Sequence, residues 1–130
     1  LEPDARLHAQ AGAVMKYIPE LGGLVPVRTL DLETSVTGMY VAGDSSGIEE
    51  ATTAILEGRI AALSIASKLC DRSKADTALR IMETNIRFLW DEYRSSPLLI
   101  RARRGKEHAT VTREELEYLR KKYPSPISFG

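Results

Sequence analysis

The sequence predicts an α/β fragment: one strand-turn-helix unit in the first half, then a mainly helical C-terminal extension. Three observations carry this reading. Gly38 to Ala42 is a short run, apolar on both faces, that closes on Gly43-Asp44. From Ile48 to Leu69 the apolar period becomes helical, and Ser73 to about Tyr93 repeats that pattern. The boundary is expected near residue 70, giving residues 1–70 and an extension of residues 71–130 that includes a hairpin. With 43% hydrophobic residues in a chain of 130, there is enough apolar material for a core.

Pro3 ahead of Asp4 to Ala11 predicts a short helix stopped by Gly12, and Ala13 to Ile18 reads as extended. Pro19 and Gly22-Gly23 punctuate the chain before a second strand at Leu24 to Thr29, where Pro26 points to an edge position or a bulge. Gly38 to Ala42 suits a buried strand in a parallel sheet, and Ser45-Ser46-Gly47 a tight turn. In the following helix Ala51, Ile55, Ala62, Ile65, Ala66 and Leu69 fall near one face, and Gly58 and Ala61 offer small surfaces for close packing. Ser73 with Asp76 resembles a cap for the next helix, whose apolar stripe is Leu79, Met82, Ile86, Leu89 and Tyr93, with Trp90 beside it. Leu98 to Ala102 and Ala109 to Thr112 are read as a hairpin around an exposed basic turn, Arg103-Arg104-Gly105-Lys106. Thr112 and Glu115 form a capping box for a last helix that ends before Pro124.

Eighteen basic and eighteen acidic residues cancel, so no global field selects nucleic acid or an anionic membrane. No apolar stretch is long enough to span a bilayer, and Leu1-Glu2-Pro3-Asp4 is acidic where a signal peptide is basic, so a soluble, cytoplasmic setting is expected. Cys70 is alone, which rules out an internal disulfide and a CxxC pair; a buried structural thiol is expected. His8 and His108 are expected at the surface, and neither reads as a catalytic acid or base. No catalytic residue and no metal ligand set emerges.

The one constellation with chemical content is Gly43-Asp44-Ser45-Ser46-Gly47 between a strand and a helix. A carboxylate at the end of a strand accepts from a ribityl or ribose hydroxyl, and glycines permit close backbone approach. The unpaired amides of the first helical turn, around Ile48 to Ala51, would face a carbonyl or a developing negative charge, although Gly-Asp after a strand also occurs in turns that bind nothing.

Thr34-Ser35-Val36-Thr37-Gly38-Met39-Tyr40-Val41-Ala42-Gly43-Asp44 resembles the TS-x-x-G-x-(Y/F)-x-AGD signature of FAD-dependent oxidoreductases of the two-dinucleotide-binding-domain type. Glu50-Ala51, Ala54, Glu57-Gly58 and Ala61-Ala62 continue it, being similar to the helix A-x-x-A-x-x-x-G-x-x-A-A of those pyridine nucleotide-disulfide oxidoreductase-like enzymes. Leu1-Glu2-Pro3-Asp4, Pro19-Glu20-Leu21-Gly22-Gly23 and Val25-Pro26-Val27 are most similar to the FAD subunits of opine oxidase, hydrogen cyanide synthase, dye-linked L-proline dehydrogenase and heterotetrameric sarcosine oxidase. The resemblance covers roughly the first half of the chain.

It implies the C-terminal part of an FAD-binding Rossmann-like domain whose parent passes a hydride from an amine or amino acid to FAD. Gly43, Asp44, Gly47, Ile48, Glu50 and Ala51 would then be cofactor-binding, with Asp44 on the ribityl chain and the backbone near Glu50 and Ala51 on the pyrimidine edge. The family's GxGxxG cradle for the ADP half is missing from the sequence, so the chain is expected to be an excised piece that holds no FAD alone. Its partners would be the remainder of the flavoprotein, a second subunit, or a second copy of itself. A thioredoxin reductase-like enzyme using NAD(P)H, or a non-catalytic dimerisation module, are the alternatives.

Overall fold

The computed structural model describes residues 2–129. Its elements are α1 (Arg6–Gln10), β1 (Met15–Ile18), β2 (Gly23–Pro26), α2 (Ala51–Leu69), α3 (Arg72–Arg87), α4 (Ile100–Ala109) and α5 (Arg113–Lys122). Single 3-10 turns occupy Pro19–Leu21, Gly43–Ser46 and Pro97–Leu99, and a π-helical turn extends α3 across Phe88–Tyr93.

β1 and β2 form an antiparallel pair, from Met15 opposite Pro26 to Ile18 opposite Gly23. Pro26 ends the ladder, as a residue without an amide hydrogen does. Beyond it Arg28 sits between two other segments: its amide donates to the Ala109 carbonyl at 3.1 Å, and its carbonyl accepts from Val111 at 2.8 Å. Arg28 also makes an isolated antiparallel bridge with Thr34.

The parallel strand expected at Gly38 to Ala42 is absent. That segment folds back on residues 32–34: Thr34 donates to Met39 at 2.9 Å and Val41 to Leu32 at 3.0 Å, with one antiparallel bridge between Glu33 and Tyr40. A parallel strand needs neighbours delivered by long crossovers. Among the described residues the sheet has two strands, both antiparallel, and no Rossmann-like sheet is present.

α2 starts at Ala51, three residues later than the periodicity suggests, because Gly47 takes a φ of +120° and Glu50 is extended. Its packed face is not the Ala51-to-Leu69 stripe, and of the two small residues Ala61 is packed whereas Gly58 is open. Leu56, Ile60 and Ala61 are buried with Leu32, Met82 and Leu89, while Ile55 is 63% and Leu69 81% exposed. The helix carries apolar residues on two sides, and the buried side includes Thr53, Glu57 and Ser64, which hydrophobicity alone assigns to solvent.

The α3 cap is Asp71, whose carboxylate accepts from the Lys74 amide at 3.0 Å, rather than Ser73. Ala78, Met82 and Leu89 are buried in its stripe, whereas Leu79 is exposed. Cys70 lies exposed at the α2–α3 junction, not in the core, since α2 ends there with its apolar flank facing out.

The expected hairpin is a helix. Ile100–Ala109 forms α4, whose Arg and Lys residues favour the helical state. Gly105, read as a turn residue, serves instead for close packing: a Cβ there would lie 2.5 Å from Leu21 Cγ. A Cβ on Gly47 would meet Leu21 at 2.7 Å. Leu21 is fully buried in the socket that these two glycines make. α5 begins at Thr112 as expected, with its hydroxyl accepting from the Glu115 amide at 3.1 Å. The tail returns to the first half, where Ser125 donates to the Ala11 carbonyl at 2.5 Å and Phe129 to the Thr37 carbonyl at 2.7 Å.

Gly105→Ala improves helix propensity by about 1 kcal/mol in a free helix. Here overpacking against Leu21 is expected to dominate, for a net loss of roughly 1–3 kcal/mol in denaturant unfolding. Unchanged or higher stability would show that Leu21 does not need the socket.

Candidate functional site

A carboxylate that meets a ligand needs free lone pairs, and a turn that holds it needs its own polar groups satisfied from behind. Gly43–Ser46 meets both conditions. Asp44 is exposed, and among the described residues its side chain has no hydrogen bond or ion pair. Gly43, at φ +75°, turns the chain, and the nearest atom to a Cβ built on it is Ala54 Cβ at 3.9 Å. By contrast, the space beside Gly47 is filled by Leu21.

Ile48 donates to the Leu21 carbonyl at 3.1 Å, so its amide is already engaged. At the start of α2 the Thr53 hydroxyl accepts from the Glu50 amide at 3.3 Å and donates to the Glu50 carbonyl at 2.9 Å. The amides of Ala51 and Thr52, both on exposed residues, have no acceptor within the helix. Asp44 and these amides are the polar groups of the turn and the helix start that no other group engages among the described residues. Among the described residues no three His, Cys, Asp or Glu side chains gather as a metal site.

Behind the turn lies a buried ionic cluster that no spacing in the sequence announces. Glu57 on α2 accepts from the Gly43 amide through Oε1 at 3.1 Å. Its Oε2 accepts from Ser46 Oγ at 3.1 Å, Arg94 at 2.8 Å and Lys106 Nζ at 2.9 Å. Arg94 also grips Glu49 through two contacts at 3.1 and 2.9 Å, with the Trp90 ring stacked 4.5 Å from its guanidinium. Arg28 donates to Ser46 Oγ at 2.7 Å, and Lys106 Nζ reaches the same oxygen at 2.8 Å.

All five charged side chains are almost inaccessible to water. Burial pulls Lys106 down to about 8, against the attraction of Glu57, and Arg28 down to about 10 for the same reason. For Glu57, burial pushes upward, but Lys106, Arg94 and Arg28 outweigh it and the carboxyl is lowered.

The π turn explains how Arg94 arrives there. Its amide bonds to the Leu89 carbonyl five residues back, at 2.9 Å, and this wider turn lets Leu89 and Arg94 both point inward. The basic cluster read as a solvated turn divides accordingly. Arg101 and Arg104 are exposed, Arg103 bonds the Trp90 carbonyl at 2.6 Å, and Lys106 is interior.

A second cluster braces the Thr34–Gly38 loop. Glu33 is buried and accepts from the Gly38 amide at 2.9 Å, Lys68 at 3.0 Å and Arg113 at 2.8 Å, with Arg120 at 3.2 Å. Burial alone would raise its carboxyl, but the Gly38 amide, Arg113 and Lys68 together hold it at about 2. His108 is exposed as expected. His8 is half-buried instead, its Nε2 lying 3.0 Å from the Tyr40 carbonyl.

These residues fit one side of a flavin, namely an acceptor for ribityl hydroxyls beside the amino end of a helix. They do not fit the other side, because no glycine-rich pyrophosphate cradle exists in the sequence.

The Glu33 carboxyl is lowered from an ordinary 4.5 to about 2, so its contribution to stability is complete above about pH 4.5 and is lost as pH falls through 2. Glu33→Gln should therefore flatten the decline of the denaturation midpoint between pH 4.5 and 2. Parallel curves for wild type and variant would contradict this.

No protein-family model matches the chain, and neither does a solved structure. Curated relatives do. The chain is 42% identical over 67 residues to an opine oxidase subunit of Rhizobium meliloti (strain 1021), covering 52% of this chain and 15% of that protein. A second opine oxidase subunit from Rhizobium meliloti is 41% identical over 69 residues, 53% of this chain and 12% of that protein. The corresponding opine oxidase subunit of Agrobacterium tumefaciens (strain Ach5) is 34% identical over 80 residues, 60% of this chain and 16% of that protein. The chain thus matches about half of its own length to a sixth or less of proteins named as oxidase subunits.

Proposed function

We propose that this chain is a segment of an FAD-dependent oxidoreductase subunit, in which Asp44 and the amino end of α2 face the ribityl chain and pyrimidine edge of the flavin. The observation that carries this reading is the 42% identity to an opine oxidase subunit. It is supported by the exposed, unpaired Asp44 carboxylate beside the free amides of Ala51 and Thr52.

The substrate class inferred is an amine or amino acid. The carbon next to nitrogen gives up a hydride and the nitrogen a proton, leaving an imine. Bound FAD supplies the two-electron acceptor, and the electrons leave by a partner subunit or a second cofactor. In this scheme the chain's own residues position rather than react. Asp44 accepts hydroxyl hydrogens, and the helix end favours negative charge on the reduced ring.

Asp44→Ala in the intact flavoenzyme should lower the ratio of FAD to protein after purification. A full complement of FAD in the variant would sink the assignment.

The exposed apolar flank of α2 supports a partner reading. Ile55, Ile65 and Leu69 are 63%, 39% and 81% exposed along one side of the helix, with Ala62 between them and Ala51 one turn ahead. In the parent enzyme the remainder of the flavoprotein covers this flank; in the isolated chain a second copy does. Sedimentation equilibrium of the isolated chain at micromolar concentration should show a dimer that Ile55→Glu disrupts. A monomer at every concentration would remove the self-association.

A further inference from the structure

The Gly43–Ser46 turn has two sides, one of which presents Asp44 to solvent. The other rests on charged side chains drawn from four separate parts of the chain: Arg28 after β2, Glu49 and Glu57 at α2, Arg94 after the π turn, and Lys106 on α4. Three cations face two carboxylates, and all five are shielded from water.

We infer that this cluster is an electrostatic base for the flavin turn, setting an excess positive charge behind Gly43–Ser46 that favours the reduced, anionic form of the cofactor. The inference rests on the flavin reading above and makes Lys106 and Glu57 positioning residues, acting through the turn. It also brings the helical extension into the site, since Arg94 and Lys106 both come from it.

Three features carry the argument. First, the contacts are to the turn itself: Glu57 takes the Gly43 amide at 3.1 Å, and Lys106 and Arg28 converge on Ser46 Oγ at 2.8 and 2.7 Å. Second, a charge away from water acts over a longer distance than one at the surface, because solvent and salt do not screen it. Third, the buried charges are unequal in number, and the remaining carboxylate of the turn, Asp44, is exposed, where water screens it, so the field of the buried groups does not cancel. Lys106 is the adjustable member, because burial lowers it to about 8 while Glu57 and Glu49 attract its proton and Arg28 and Arg94 repel it.

The test is the flavin midpoint potential of the FAD-loaded parent enzyme in two variants. Lys106→Met removes one positive charge at nearly constant volume and should lower the potential. Glu57→Gln removes one negative charge and should raise it. Opposite shifts are a signature that simple loosening of the turn does not produce. The gap between wild type and K106M should also close as pH rises through about 8, where Lys106 loses its proton.

Should E57Q fail to fold, K106M and its pH dependence decide alone. A K106M potential equal to wild type, or shifts of the same sign in both variants, would overturn the electrostatic role while leaving the flavin assignment intact. Absence of flavin from the wild-type enzyme would overturn both.

Discussion

The carboxylate of Glu57 is the constraint on which most of this structure depends. A buried carboxylate is costly unless each lone pair is met, and here four donors meet it: the Gly43 amide, Ser46, Arg94 and Lys106. Those donors come from the turn, from the end of the α3 helical run and from α4. Satisfying one group therefore fixes three remote segments relative to α2. Glu49 extends the arrangement by holding the other side of Arg94.

Around that ionic centre the apolar packing is divided rather than continuous. One group, Leu32, Leu56, Ile60, Met82 and Leu89, closes the α2–α3 pair. Another, Ile18, Leu21, Val25 and Ala109, seats α4 against the β1–β2 pair. Leu21 links the second group to the turn through its place between Gly47 and Gly105. Gly47, at the end of the turn, thus has a structural duty toward the interior, while Gly43 and Asp44 face outward. The turn's shape is set by the groups behind it, the usual relation of an exposed loop to its scaffold.

Much of the local structure was legible from residue patterns. Thr112 and Glu115 marked the start of α5, Pro19 and Gly22-Gly23 marked the turn between the two strands, and the period of 3.6 marked α2 and α3. The same patterns are ambiguous wherever their meaning depends on what lies opposite in the fold. α2 is apolar on both flanks, so periodicity located the helix without saying which flank is inside. Gly105 with its basic neighbours reads as a turn until Leu21 is seen to need the missing Cβ. Gly38 to Ala42 has the composition of a buried strand, but a strand exists only with partners, and residues 32–34 supply an antiparallel one.

By itself, the sequence determined the Gly43-Asp44 turn ahead of a long helix, the positions of most helices, and a resemblance that pointed to flavin chemistry. Those features are encoded by neighbours within a few residues, where turn chemistry and helix period act directly. The tertiary structure alone decided that Arg28, Glu57, Arg94 and Lys106 share one interior, because these charges stand 11 to 60 residues from Ser46 and carry no local mark of being paired. It likewise decided which of the two apolar flanks of α2 stays free. Burial of a charged residue depends on partners that only the folded chain brings within hydrogen-bonding distance.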